Sequence, residues 1–328
     1  MMMNNPSKNQ CNVKPGTVIH GKWHRNSYAV IKELGFGANG TVYLARATDG
    51  QVALKMSENP MSITSEVNVL KSFAKVQGSA LGPSLLDVDD WEYPDGKISF
   101  YVMEFIKGPD LLSFLQKKGS DWLGVLMLQL LKDLQVLHSN GWVFGDLKPE
   151  NLIVTGPPAR IRCIDTGGTT VSGRAIKEFT EFFDRGYWGM GSRKADEQYD
   201  LFAVAMIIIN AAYLKRFNRA EGGRAQLIKA VQASPLLKKY EKVIDRALTG
   251  RYISASDMRA DLLAVLQPSK LAAPAPKKTV QQAPPPTRTS RSRQASVQKK
   301  KKGGMAETAV ILAVISLIYF FYLYSQLV

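Results

Sequence analysis

Between Tyr28 and Ala47 the chain reads YAVIKELGFGANGTVYLARA, with apolar and β-branched positions on both sides of a glycine-rich centre. That pattern predicts a hairpin whose tip is Gly35-Phe36-Gly37-Ala38-Asn39-Gly40. A short apolar strand, Val52-Ala53-Leu54-Lys55, follows. The period then lengthens, because Ile63, Val67, Leu70 and Ala74 recur at helical spacing, with Ser62 or Thr64 as candidate N-caps. Two more strand-like runs lie between Gly82 and Phe105, separated by the turn Tyr93-Pro94-Asp95-Gly96. After Asp110 the pattern is helical: Leu111, Leu112 and Leu115 in one segment, then Trp122 to His138, apolar on most sides. An apolar run from Ile161 to Ile164 interrupts the helices, and an irregular stretch rich in Thr, Gly and aromatics separates Gly167 from Asp200. A strongly apolar helix starts at Asp200, and amphipathic helices continue to Leu266 until Pro268 closes the globular part. Strands first and helices after predict an α+β fold in two lobes, about 26–106 and 107–267, behind an N-terminal extension (1–25) whose first 15 or so residues should lie loosely on the surface.

The end of the chain has a different character. Residues 268–304 are rich in Pro, Ser, Gln and Lys and poor in apolar residues, a composition that cannot bury enough surface to fold. Residues 305–328 follow, in which Thr308 to Val328 is an almost unbroken apolar run of 21 residues. As a helix at ~1.5 Å per residue it would match a bilayer core, so one transmembrane helix is expected. Tyr319, Tyr322 and Tyr324 suit an interfacial position, and Lys299 to Lys302 put the preceding side in the cytoplasm by the positive-inside rule. The expected location is therefore the cell membrane, single-pass, with the globular region cytoplasmic. No apolar segment at the N-terminus reads as a signal peptide.

Charge sharpens this division. The formal charge of +15 is concentrated in residues 268–304, which hold ten Lys and Arg and no acid. These are Lys270, Lys277, Lys278, Arg288, Arg291, Arg293 and Lys299, Lys300, Lys301 and Lys302. Such an unneutralised stretch should bind a polyanion, with DNA the first candidate partner and anionic lipid the second. Only two cysteines occur, Cys11 and Cys163, so no disulfide framework is implied.

The chemistry centres on GWVFGDLKPEN, residues 141–151. Asp146, Lys148 and Asn151 supply, from one loop, a carboxylate to take a hydroxyl proton, a cation for developing phosphate charge and an oxygen ligand for Mg²⁺. Asp165, after the apolar run, offers a second metal ligand at a strand end. The glycines of the hairpin tip let backbone N–H groups approach phosphate oxygens, and Val42 would cover a purine base. Lys55 can reach the α- and β-phosphates, and Glu66, the sole acid of its helix, is its expected counter-ion. Backbone groups around Glu104 and Ile106 would hold adenine, with Met103 behind them. His138 reads as a core or capping histidine and Asp200 as an anchor for the 141–151 loop.

Together these elements resemble the Hanks-type, eukaryotic-like protein kinases over about residues 26–267. The resemblance implies a two-lobed protein-kinase-like fold, ATP and Mg²⁺ as cofactors, and defined roles. Gly35, Gly37 and Gly40 would cover the phosphates, Lys55 and Glu66 would form the ion pair, Asp146 would be the catalytic base, Lys148 a γ-phosphate contact, and Asn151 and Asp165 the Mg²⁺ ligands. The run DLKPEN is similar to that of serine/threonine kinases. A pseudokinase scaffold is the alternative, disfavoured by the retained Asp146, Asn151 and Asp165. Four departures stand out. Phe144-Gly145 replaces the usual His-Arg pair, Thr166 follows the second acid where Phe is usual, Gly189-Met190-Gly191 stands where Ala-Pro-Glu is expected, and Arg251 is left without its usual glutamate. Autophosphorylation, with self-association, is expected in the segment Thr166 to Thr180 or at Thr287, Thr289, Ser290, Ser292 or Ser296.

Overall fold

The computed structural model describes residues 11–37, 39–75, 81–94, 96–220 and 222–267. Ala38, the basic stretch and the apolar C-terminal run therefore lie outside the described residues. Among the described residues, no helix is long and apolar enough to cross a membrane.

The small lobe is a six-stranded antiparallel sheet in the order β1-β2-β3-β4-β6-β5. Its strands are β1 (Val18–His20), β2 (Ser27–Gly37), β3 (Gly40–Ala47), β4 (Gly50–Ser57), β5 (Leu85–Tyr93) and β6 (Gly96–Glu104), with helix α1 (Pro60–Lys75) between β4 and β5. Side chains alternate across the pleat, so β4 serves two layers. Val52, Leu54 and Met56 join Val30, Phe100 and Val102 on one face, while Ala53 packs with Ile63, Val67 and Leu70 of α1 and with Tyr101 and Met103 on the other. Lys55 belongs to this second face, which is why it points toward α1.

Helix α1 begins before the expected caps. Pro60 takes the first helical position, where its missing N–H is no loss, and the Asn59 side chain accepts the Met61 N–H at 3.0 Å. Ser62 and Thr64 are interior, and the Thr64 hydroxyl donates back to the Pro60 carbonyl at 2.9 Å. A second correction concerns the N-terminal extension. Cys11 and Val13 are buried against the sheet, the Tyr43 hydroxyl bonding the Cys11 carbonyl at 2.5 Å and accepting the Val13 N–H at 2.9 Å. Burial pushes the Cys11 thiol up to about 11.

The large lobe contains α2 (Leu111–Lys118), α3 (Trp122–Ser139), the short strands β7 (Trp142–Val143), β8 (Leu152–Thr155), β9 (Arg160–Cys163) and β10 (Thr170–Val171), and helices α4 (Glu197–Tyr213), α5 (Gly223–Ala233), α6 (Pro235–Lys238), α7 (Glu241–Leu248) and α8 (Ala255–Leu266). Its core is built on α3 and α4. Helix α4 is buried continuously from Tyr199 to Asn210, consistent with a sequence apolar on all sides. Helix α8 crosses α3 at Gly124, where a Cβ would meet Leu266 at 2.6 Å.

Asp87 on β5 pins the loop between β1 and β2. It accepts from the Tyr28 hydroxyl at 2.6 Å, Asn26 Nδ2 at 3.0 Å and His24 Nδ1 at 2.6 Å. Burial alone would raise its pKa, but these donors outweigh burial and hold the carboxyl below its ordinary value. The hydrogen bond and charge of Asp87 in turn raise the His24 imidazole above its usual range. A raised histidine contributes stability that is fully present below the unfolded pKa of ~6.5 and is lost as pH rises through the folded value. The urea midpoint should therefore exceed that of His24→Gln by more at pH 6 than at pH 8. An equal difference at both pH values would rule the pairing out as a stabilising one.

Candidate active site

The hairpin tip, β4, α1 and the loop after α3 converge on one cleft. Strands β2 and β3 stay paired up to Gly37 and Gly40. Around Gly35 and Gly37 a Cβ would meet nothing within 4 Å, so the tip borders open space. Gly40 is different, because its φ is +125° and a Cβ would lie 2.1 Å from the Met56 carbonyl oxygen. Phe36 is exposed at the tip, and Val42 is half-buried against the apolar layer under the cleft.

Lys55 and Glu66 form the expected ion pair, with Nζ 2.8 and 2.6 Å from the two carboxylate oxygens, and both side chains are buried. The Tyr101 hydroxyl donates to the same carboxylate at 2.7 Å. Burial, and then the Glu66 charge, raise the Tyr101 phenol well above its ordinary pKa, so it stays a donor.

The 141–151 loop hangs from Asp200. This carboxylate, fully buried near the start of α4, accepts the Phe144 N–H at 2.8 Å and the Gly145 N–H at 2.9 Å, and lies 2.8 Å from His138 Nε2. His138 is thus a structural partner of the loop. Phe144 is buried, and Gly145 has φ +87° with its Cβ position 2.7 Å from the Gly168 carbonyl oxygen. Glycine is required there, so the absent arginine of the family pair could not be restored without moving the loop.

Asp146 lies at the cleft floor, 7% exposed, and pairs with Lys148. The Thr180 hydroxyl is 3.1 Å from Asp146 Oδ1 and 3.4 Å from Lys148 Nζ. Asn151 Nδ2 donates to the Asp146 carbonyl at 3.4 Å, and the Ile164 N–H bonds the Asn151 carbonyl at 3.0 Å. That last bond sets Asp165, one residue further on, beside Asn151. Asp165 Oδ1 accepts the Gly167 N–H at 3.0 Å. One carboxylate and one amide oxygen are hard donors of the kind Mg²⁺ takes, and the open glycine tip above leaves room for phosphates.

At the back of the cleft, Ile106 and Met103 are buried. The Glu104 carboxylate is committed to Arg162 of β9 at 2.5 and 3.0 Å, and this hydrogen-bonded pair holds it below its ordinary pKa. Only the backbone of Glu104 is thereby left for a base. Arg162 also donates to the Gly82 carbonyl at 2.6 Å, so one side chain braces the link between the lobes.

The segment after Asp165 departs from one expectation. Thr166, Thr169 and Thr170 are buried and Thr180 is bonded to Asp146, so these hydroxyls are not freely presented acceptors; Ser172 is exposed. Arg251 lies 3.7 Å from Asp245, an aspartate in place of the usual glutamate. Where Ala-Pro-Glu is absent, buried Asp184 closes the segment, accepting the Gly186 and Tyr187 N–H groups at 2.9 Å, Arg193 Nε at 2.8 Å and the Tyr199 hydroxyl at 3.0 Å. Thr180, Tyr101, Arg162 and Asp184 are all distant in sequence from the motif residues they serve, and no local pattern marks them.

The pattern of the protein kinase domain family matches residues 28–266. The chain belongs to the protein kinase family. It is similar to the serine/threonine-protein kinase YabT of Bacillus subtilis (strain 168), 59% identical over 255 residues that cover 77% of this chain and 75% of that protein. An Aurora kinase of Dictyostelium discoideum is 32% identical over 152 residues, 44% of this chain and 39% of its own length. Among solved structures, vaccinia related kinase 3 shares the fold, with a TM-score of 0.57 at 19% identity over 78% of this chain and 91% of that one. The protein is a serine/threonine protein kinase.

Replacing Gly145 by Ala tests the strain at the loop. A side chain at that positive φ, against the Gly168 carbonyl, should lower stability by about 1–3 kcal/mol and reduce turnover. A melting temperature unchanged from wild type would show that the loop accommodates the side chain.

Proposed function

We propose that this kinase is tethered to a membrane by Thr308 to Val328, acts on its own chain and on cytosolic proteins, and is stimulated by a polyanion bound to its basic stretch. The catalytic reading is supported above all by the gathering of the Lys55–Glu66 pair, Asp146, Asn151 and Asp165 around one cleft roofed by glycines.

In this reading Asp146 accepts the proton of the attacking serine or threonine hydroxyl at its carboxylate. Thr180 and Lys148 hold that carboxylate in place, and the Lys148 ammonium lies where phosphate charge would develop. Lys55, steadied by Glu66 and Tyr101, orients the α- and β-phosphates. The glycine tip, with Phe36, Ala38 and Asn39 between its glycines, covers the phosphates and excludes water, while Val42 and the backbone at Glu104 and Ile106 hold the base. Asn151 and Asp165 would hold Mg²⁺, which would offset the negative charge of the phosphates.

The tail supplies the regulatory part of the proposal. Ten cations without an acid release counterions on meeting phosphates, which gives binding largely independent of sequence and steeply weakened by salt. DNA is preferred over lipid because Lys277, Lys278, Arg288, Arg291 and Arg293 lie well before the apolar run, and several chains on one duplex raise the local kinase concentration.

Two measurements test this. Asp146→Asn should lower phosphate transfer by about 10²–10⁴-fold, and Lys55→Ala should abolish most of it; wild type no better than Lys55→Ala would refute the catalytic assignment. Duplex DNA, titrated at low salt, should raise autophosphorylation and do so less at high salt. Stimulation that survives replacement of the five distal cations by alanine would refute the role of the basic stretch.

A further inference from the structure

The segment 176–180 crosses the front of the cleft, and each of its residues is engaged. Ile176 is buried and its N–H bonds the Arg193 carbonyl at 2.9 Å. Lys177 Nζ reaches the Ser65 hydroxyl of α1 at 3.4 Å, and the Phe179 ring lies 4.0 Å from the Arg193 guanidinium. Glu178 accepts a hydrogen bond from the Asn39 amide of the glycine tip, and Thr180 bonds Asp146. Thr180 has extended backbone angles, φ −104° and ψ 122°. Glu178 is two residues before Thr180 and borders the same cleft, its carboxylate against the Asn39 amide of the tip while Thr180 bonds Asp146 at the floor.

Glu178 is poorly compensated there. Burial, and then the charge of Asp165, push its carboxyl up, and Glu66 acts in the same sense. Lys55 acts in the opposite sense, but its ammonium is already paired with Glu66; Lys148 is paired with Asp146, and Lys177 Nζ lies against the Ser65 hydroxyl of α1. Its hydrogen-bond partner is a neutral amide. A polypeptide that brings a hydroxyl to Asp146 meets Thr180, which bonds that carboxylate, and Glu178 is two residues before Thr180 on the same border of the cleft. A guanidinium or ammonium carried next to that hydroxyl would displace the Asn39 amide and meet a half-buried carboxylate, where a charge-assisted pair is worth more than at an open surface.

We infer that Glu178 is a specificity-determining residue, selecting serine and threonine acceptors that have an arginine or lysine beside them in the sequence. The inference rests on the kinase reading of the same cleft and adds the substrate class. The chain itself carries such a sequence, Thr287-Arg288-Thr289-Ser290-Arg291-Ser292-Arg293, in which every hydroxyl residue adjoins an arginine. The basic stretch would then serve as substrate as well as polyanion site.

The test uses the full chain and three peptides added in trans: residues 284–296, a copy with its three arginines changed to glutamine, and a copy with them changed to glutamate. Wild type should favour the arginine peptide over the glutamine peptide by at least about tenfold in kcat/KM, mostly through KM. Glu178→Gln keeps a side chain able to hydrogen-bond Asn39 but loses the charge, and should bring that ratio close to one. Glu178→Lys should shift preference toward the glutamate peptide. A wild-type ratio near one, or a ratio that Glu178→Gln leaves intact, overturns the inference. Anisotropy binding of the same peptides separates it from the catalytic reading. Selective binding without phosphate transfer would refute the kinase reading and leave the selectivity of Glu178 standing, whereas equal transfer to all peptides would do the reverse.

Discussion

The buried carboxylate of Asp200 is the constraint on which the cleft depends. An uncompensated charge in the interior of the large lobe would be strongly unfavourable, and Asp200 is compensated by two backbone N–H groups and His138. Those two N–H groups belong to Phe144 and Gly145, so satisfying the carboxylate fixes the backbone immediately before Asp146. Helix α4 can carry the carboxylate because its apolar faces anchor it rigidly on α3. The requirement of a buried charge for donors thus becomes the positional accuracy of a carboxylate at the cleft floor.

Gly145 extends the same logic. The backbone that Asp200 demands there has a positive φ and runs against the Gly168 carbonyl, which excludes an arginine that could reach a phosphorylated residue. With that coupling absent, the following segment is held by its own contacts: Asp184 gathers two backbone N–H groups, Arg193 and Tyr199, and Arg185 reaches Asp196 at 2.7 Å. A segment ordered by internal carboxylate contacts does not need a phosphate to bring it into place. This gives a physical reason why the two departures, at 144–145 and at 189–191, occur together in one chain.

Much of the cleft was legible in the sequence because its chemistry is packed into short motifs. Asp146, Lys148 and Asn151 come from six consecutive residues, and the glycine tip precedes Lys55 on adjacent strands, so spacing alone suggests their proximity. The residues without a sequence signature act across long separations. Thr180 meets Asp146 from 34 positions away, Tyr101 meets Glu66 from 35 and Arg162 meets Glu104 from 58, and no periodicity encodes such contacts. The start of α1 differs from the expected caps for a local reason. Ser62 and Thr64 are common caps, but Asn59 followed by Pro60 is a stronger start, since the proline ring fixes the first helical φ and the amide side chain supplies the cap. The polar neighbours of Cys11 and Val13 suggest a loose segment, whereas the Tyr43 hydroxyl, far away in sequence, satisfies the backbone at both residues.

The Lys55–Glu66 pair shows why stability alone does not explain the cleft. Removing two charges from water opposes folding by several kcal/mol per ion, and apolar residues of similar volume often do as well or better. Here the pair sits at the apolar layer between β4 and α1, on the face of β4 that packs Ala53 against that helix, where hydrophobic side chains would fit the surroundings. Tyr101 adds a third polar group whose phenol must also be kept protonated. Such an arrangement makes sense when a cation has to be held at one point of the cleft, because the Glu66 carboxylate, itself steadied by the Tyr101 phenol, fixes its position. A polar network at a site that could have been apolar is therefore best understood as serving the phosphates, and its folding cost is offset by the apolar layer beside it.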